Sequence, residues 1–206
     1  MLSRWMGRQL RQPSGPGGWL IARIMNRSNA AMNQRAIELL DVQPTHAVLE
    51  VGFGGGLALA PLLARARSGR VTGVDPSDDM LAAAAEHHRA AIASGHLRLQ
   101  RAGVEALPHG DREFDRVLSV NTLYFWPDPA RGFAEIRRVL RPGGKLVLGY
   151  RPAERMRKLG FTRHDFRLFE DGEVLRLLGD AEFEMLAMEA GRQGLGHISV
   201  VARPTG

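Results

Sequence analysis

The rhythm of apolar and polar positions changes repeatedly along this chain. Between Trp19 and Leu40 the apolar residues Leu20, Ile21, Ile24, Met25, Met32, Ile37, Leu39 and Leu40 fall near helical spacing, with arginine and asparagine between them. Asp41, Gln43 and Pro44 end that helix. A short apolar run at 47–51 leads into Gly52-Phe53-Gly54-Gly55-Gly56, and helical spacing returns over 57–67. The exchange then repeats, with strands expected at 70–75, 97–100, 114–120 and 145–150 and helices at 78–93 and 130–140. Ser77 stands where an N-cap is needed, Asp78 and Asp79 fall in the first turn, and Gly95 follows the end. Arg141-Pro142-Gly143-Gly144 closes the helix at 130–140. After an irregular aromatic and basic stretch at 151–169 come a short helix at 171–178 and two strands at 183–189 and 197–202.

Strands exchanged with helices imply right-handed crossovers and a mostly parallel sheet covered on both faces. The last two strands have no helix between them and should form an antiparallel hairpin at one edge. The expected fold is therefore α/β: a single doubly wound domain with a mostly parallel seven-stranded sheet, a C-terminal antiparallel hairpin and an N-terminal lid helix. Residues 1–44 would form a basic arm and the lid helix, and residues 45–206 the body.

Composition narrows the class. The 206 residues are 44% hydrophobic and 24% charged, enough to bury one full core. No run approaches the ~20 apolar residues that span a bilayer, and Arg23 interrupts the early apolar segment, which argues against a cleavable secretory signal. Without cysteine there is no disulfide, thiolate metal site or cysteine nucleophile, which fits a cytoplasmic protein. The net charge of +6 belongs entirely to Arg4, Arg8, Arg11, Arg23, Arg27 and Arg35, because residues 1–35 hold no acid and the rest balances at 22 cations and 22 acids. A basic arm on a neutral body does not suit whole-domain nucleic-acid binding, and none is expected.

Chemistry concentrates after the first strand. In open α/β sheets ligands bind beyond the carboxyl ends of the strands at the topological switch point, and the glycine loop at 52–56 stands there. Its glycines let a ligand approach the backbone and permit positive φ. Asp75 ends the second strand 23 residues after Gly52, where a carboxylate can accept from both hydroxyls of a ribose. A nicotinamide fingerprint needs its third glycine where Leu57 or Leu59 stands, and no Gly-Lys-Ser/Thr of a P-loop is present. The pattern points to a nucleoside and away from phosphates.

Several spaced motifs resemble those of the class I S-adenosylmethionine-dependent methyltransferases, and among them the small-molecule, ubiquinone/menaquinone-biosynthesis-like type. They are Val48-Leu49-Glu50-Val51-Gly52-Phe53-Gly54-Gly55-Gly56, Val74-Asp75-Pro76-Ser77-Asp78-Asp79-Met80-Leu81, Val104-Glu105-Ala106-Leu107-Pro108, Glu113-Phe114-Asp115-Arg116-Val117, and Arg138-Val139-Leu140-Arg141-Pro142-Gly143-Gly144-Lys145-Leu146. The resemblance covers half the chain and implies a Rossmann-like fold, S-adenosylmethionine as methyl donor, S-adenosylhomocysteine as product, a small-molecule acceptor and no metal. It implies that the backbone of Gly52, Phe53 and Gly54 contacts the methionine part, with Glu50 orienting the loop. Asp75 would hold the ribose, Pro76, Met80 and Val104 would lie near the adenine, and the Asn121 carbonyl would receive the methionine ammonium. The family often carries an aspartate where Gly103 stands here, so that adenine contact would come from the backbone, Glu105 or water.

Methyl transfer from a sulfonium needs positioning more than acid–base chemistry, so no catalytic motif is expected. The acceptor side is correspondingly open. Tyr124 and Trp126 could form an aromatic wall, and Tyr150, Arg151 and Phe161 lie on the stretch after the fifth strand, where an imidazole at His164 would be the candidate base beside Tyr124. Neither middle proline of an Asn-Pro-Pro-Tyr loop follows Asn121, which disfavours a nucleic-acid base or glutamine as acceptor. The N-terminal helix is read as a lid, or alternatively as a basic amphipathic surface for peripheral membrane contact, which would suit a lipid or quinone acceptor. A nicotinamide-dependent oxidoreductase and a non-catalytic S-adenosylmethionine-binding protein are the alternatives of another class.

Overall fold

The computed structural model describes residues 29–158, 166–191 and 196–205. The first 28 residues, with Ile21 and Ile24 of the expected lid, and the candidates Phe161 and His164 lie outside them. Residues 29–40 form helix α1, which buries Met32, Ala36, Ile37 and Leu40. The elements that follow are β1 Ala47–Val51, α2 Leu59–Arg65, β2 Arg70–Asp75, α3 Asp78–His87, α4 Arg89–Ala93, β3 Leu97–Arg101 and β4 Phe114–Val120. After them come α5 Pro129–Val139, β5 Leu140–Tyr150, α6 Ala153–Met156, α7 Asp171–Asp180, β6 Phe183–Gly191 and β7 His197–Pro204.

The seven strands form one sheet in the order β3-β2-β1-β4-β5-β7-β6. Strands β1 to β5 pair in parallel, and β7 pairs antiparallel with both β5 and β6, so the hairpin forms one edge. The order reverses between β1 and β4, which makes the carboxyl ends of those two strands the switch point.

Side-chain alternation divides the core into two layers. Ala47, Leu49 and Val51 of β1 join Phe133, Ile136 and Val139 of α5 and Val174, Leu177 and Leu178 of α7 on one face. Val48 joins Ile37 and Leu40 of α1, Leu59 and Leu62 of α2 and Met80 and Ala84 of α3 on the other. Glu50 follows the same alternation as Val48, so a carboxyl stands in a row that is otherwise apolar.

Three boundaries differ from the sequence expectation, each for a local reason. Helix α2 starts at Leu59 because Gly56, at φ +71°, closes a turn onto the Phe53 carbonyl. The helix expected at 78–93 breaks at His88. There the His87 ring Nδ1 lies 2.7 Å from the Ala83 carbonyl, a side-chain intrusion into the helical ladder that favours a kink. Strand β5 begins at Leu140, paired with Phe114, and the register resumes at Lys145 opposite Arg116. Gly143, at φ +74°, lets the Pro142-Gly143-Gly144 segment swing out as a bulge between those two pairs. At the other two capped helices the sequence logic holds: Ser77 accepts from the Met80 N–H, and Asp128 accepts from the Arg131 N–H with Pro129 beginning α5. Among the described residues no helix is long and apolar enough to cross a membrane.

Candidate active site

The glycine loop folds back on the ends of β1 and β2. Gly52 adopts φ +72° and donates to the Val74 carbonyl at 2.7 Å. A Cβ at Gly52 would collide with the Thr122 side chain beyond β4, so the loop and the β4 end close against each other only because residue 52 has no side chain. Gly54 donates its N–H to Asp75 Oδ2 at 2.8 Å, and the Ser77 N–H is 2.9 Å from Asp75 Oδ1. The two N–H groups fix the carboxylate at the end of β2 and leave further lone pairs on each oxygen. Phe53 turns its ring inward over Gly73, so only its backbone belongs to the loop surface.

Both acids here are buried. Glu50 is 5% exposed, its Oε2 has no hydrogen-bond partner among the described residues, and burial together with the nearby Asp75 charge pushes its carboxyl up to about 8. Burial also raises Asp75, against the opposing effect of the Ser77 and Gly54 N–H groups. A pyrophosphate brought to this pocket would meet two buried carboxyls. A ligand carrying an ammonium and a sulfonium would instead supply the positive charge that they lack. The donor set fits S-adenosylmethionine and not a dinucleotide.

The remaining cofactor-side candidates are distributed as follows. Pro76 is exposed beside Asp75, whereas Met80 is buried in the layer under α3. Val104 is buried against Gly132 of α5, and Gly103 is exposed before it. Glu105 Oε1 accepts from the Asp128 N–H at 3.3 Å, which ties the 103–105 loop to the start of α5.

At the other side of the switch point Asn121 follows β4 in the left-handed region, at φ +60°, with its N–H on the Gly149 carbonyl of β5. Its side chain faces a polar cluster. Asn121 Oδ1 accepts from Tyr124 Oη and from the Arg151 guanidinium, each at 3.3 Å, and its Nδ2 is buried without a partner among the described residues. Tyr124 Oη in turn accepts from the Arg151 backbone N–H. Burial raises the Tyr124 hydroxyl to about 12, so it is a neutral donor and acceptor and not a base at neutral pH. A role for Tyr124 in catalysis would therefore be to orient a partner and not to take its proton.

Trp126 of the expected aromatic wall and Tyr150 after the fifth strand are also corrected. Trp126 is 6% exposed, packs edge-on against Phe133 at 5.1 Å between ring centroids, and gives its indole N–H to Thr122. Gly132 provides the room for it, since a Cβ there would lie 2.8 Å from the indole. Tyr150 is fully buried, with its hydroxyl on Asp171 at 2.8 Å. Both belong to the core under α5 and α7, and neither ring is open to a ligand. Arg151, expected on the acceptor side, sends its guanidinium into the cluster with Asn121.

Sequence reasoning missed Asn29, Thr122 and His197. Asn29, 7% exposed on α1, accepts from Arg151 at 2.7 Å across 122 residues of chain. His197 is buried at the start of β7 beside Arg151, and burial and that charge both lower its proton affinity. No local pattern signals either residue, because each is brought in by tertiary packing alone. Among the described residues no group of three or more histidine or acidic side chains could hold a metal ion.

This geometry has known counterparts. Residues 49–148 match the methyltransferase domain family. The chain is 34% identical over 131 residues to the uncharacterized methyltransferase YdaC of Bacillus subtilis, covering 64% of this chain and 70% of that one. It is 34% identical over 117 residues to the methyltransferase GfsG of Streptomyces halstedii, covering 57% of this chain but 42% of that longer relative. In three dimensions it aligns with geranyl diphosphate methyltransferase in complex with S-adenosylmethionine, with a TM-score of 0.74 and 16% identity over 96% of this chain and 94% of that one. The [4+2]-cyclase SpnF aligns with a TM-score of 0.70 and 21% identity over 85% of this chain and 81% of that one, so the fold itself is shared beyond methyl transfer. Fold alone would leave the chemistry open, but the sequence match runs through the glycine loop, Asp75 and the turn into β5, and with it the chain belongs to the class I S-adenosylmethionine-dependent methyltransferases.

Proposed function

We propose that the chain methylates a small-molecule acceptor held beyond the carboxyl ends of β4 and β5. The observation that carries this reading is the pair of buried acids, Glu50 and Asp75, at the ends of adjacent strands beside an uncharged left-handed turn at Asn121. Asp75 would accept from the ribose hydroxyls with the lone pairs that Gly54 and Ser77 leave free. The backbone of Gly52, Phe53 and Gly54 would hold the methionine part, and Glu50 would orient that loop and balance the ammonium. Pro76, Met80, Gly103, Val104 and Glu105 would line the adenine side, and the Asn121 carbonyl would complete the ammonium site. When bound, S-adenosylmethionine supplies an already activated methyl group. The chain's own work is then to align the acceptor and exclude water.

A hydroxyl group is one acceptor to try, since the chain is 32% identical over 112 residues to the O-methyltransferase cnsE of Penicillium expansum. Parallel calorimetric titrations with S-adenosylmethionine, S-adenosylhomocysteine and NADH test the cofactor half. Micromolar binding of the first two and none of the third is expected; binding of NADH alone would overturn it. Transfer of a labelled methyl group to a panel of small acceptors then tests turnover.

A further inference from the structure

Arg151 is a half-buried cation with no acidic partner among the described residues. Its side chain leaves the end of β5 and is fixed by Asn121 Oδ1 at 3.3 Å and Asn29 Oδ1 at 2.7 Å, both neutral amides, while its Nε is buried with no partner among the described residues. The acids on adjoining elements are already engaged. Glu154 pairs with Lys158, Glu170 with Arg157, Glu173 with Arg167 and Glu189 with Arg35, and Asp171 accepts from Tyr150. Outside the described residues the only acidic side chain is Asp165. His197, the titratable neighbour, is itself buried and is disfavoured as a cation. A guanidinium desolvated in this way is costly unless a ligand supplies the missing negative charge.

The position of this charge selects the ligand. The glycine loop ends β1, Asn121 ends β4 and Arg151 ends β5, so Arg151 stands two strands from the cofactor loop, about 10 Å at ordinary strand spacing. A planar fork with an unfilled donor at that place matches a carboxylate or phosphate. Such an anion between Arg151 and a bound sulfonium would also remove the repulsion between the two cations. Resting on the acceptor site assigned above, we propose that Arg151 anchors the methyl acceptor through an anionic oxygen group, a carboxylate or a phosphate.

The test uses the full chain saturated with S-adenosylhomocysteine and titrated calorimetrically with benzoate, phenyl phosphate and the neutral isostere benzamide. At least one anion should bind tenfold or more tightly than benzamide, and the preferred anion tells carboxylate from phosphate. Arg151→Gln should weaken that anion at least tenfold, Arg151→Lys should restore part of the loss, and S-adenosylhomocysteine affinity should change less than threefold. If neither anion outbinds benzamide on the wild-type chain, the proposal fails, whatever the variants do. If Arg151→Gln instead lowers S-adenosylhomocysteine affinity tenfold, the arginine serves the cofactor's own carboxylate and the acceptor assignment is overturned. If Asp165→Asn instead strengthens anion binding tenfold or more, Arg151 is already neutralised within the chain and the proposal falls. Failure of the wild-type chain to bind S-adenosylhomocysteine would overturn the cofactor reading itself, a result distinct from loss of the anion alone.

Discussion

Two halves of one sheet edge differ in the sign of the charge they bury. At the ends of β1 and β2 the groups out of water are carboxyls, Glu50 and Asp75, both with raised proton affinity. At the ends of β4 and β5 stand the half-buried Arg151 guanidinium and Asn121 amide beside the buried Asn29 amide, Tyr124 hydroxyl and His197, and desolvation makes Arg151 less willing to hold its proton. Each half is costly to the empty protein, and each is relieved by a ligand of opposite charge. The comparison teaches where binding energy is stored. It resides in polar groups that the fold desolvates and leaves short of partners, and the sign of the shortfall states the ligand's charge.

The largest effect should come from breaking the acidic half at Asp75. Asp75→Ala removes the proposed ribose acceptor and also strands the N–H groups of Gly54 and Ser77, which now donate to it at 2.8 and 2.9 Å. Hydrogen bonds to a charged group are worth about 1.5–3 kcal/mol each, so S-adenosylmethionine affinity should fall about a hundredfold by calorimetry. Unchanged affinity would mean that the ribose lies elsewhere. The same titration with Arg151→Gln should show little change, which is how the two halves are told apart.

Glu50→Gln sharpens the comparison through pH. The folded chain holds a proton on Glu50 up to about pH 8, whereas an unfolded glutamate releases it near its ordinary value of about 4.5. Between those values the native state binds more protons, so the stability of the ligand-free chain falls as pH rises through that window and levels above it. Glutamine keeps the shape and cannot ionise. Urea unfolding at pH 5 and pH 8 should show the variant gaining about 3–4 kcal/mol relative to wild type at the higher pH, with weaker cofactor binding as the cost. An equal difference at both values would remove Glu50 as the strained group.

The two halves also differ in how far the sequence discloses them. Gly52, Gly54 and Asp75 stand at spacings set by the strand–loop–helix turn and the next strand end, so a linear pattern suffices. The strand order follows equally from alternation and crossover rules, since Val48 and Leu49 sort to opposite layers by period two. The acceptor half has no such pattern. Arg151 meets Asn29 across 122 residues, and His197 arrives on an antiparallel strand from the far end of the chain. Trp126 and Tyr150 misled because aromatic residues near a site read alike whether they face a ligand or fill the space beneath a helix. Burial, the Trp126 contact with Phe133 over Gly132 and the Tyr150 hydroxyl bond to Asp171 reveal the packing role.

The smallest effect should come from Tyr124→Phe, and it separates positioning from catalysis. The hydroxyl links the Arg151 backbone to Asn121 Oδ1, so its loss leaves a buried N–H unpaired and should cost about 1–2 kcal/mol of stability in thermal or urea unfolding. Cofactor affinity should hardly move, because the hydroxyl meets the Asn121 side chain and not its carbonyl, the atom proposed for the ammonium. With a hydroxyl pushed up to about 12, roughly one tyrosine in 10⁵ is ionised at pH 7, too few to serve as the proton acceptor in turnover. Once an acceptor is in hand, the variant should therefore turn over more slowly with its pH profile unshifted. Loss of a basic limb from that profile would instead make Tyr124 a proton carrier and would move the chemistry, not just the scaffold, into the half that Arg151 organises.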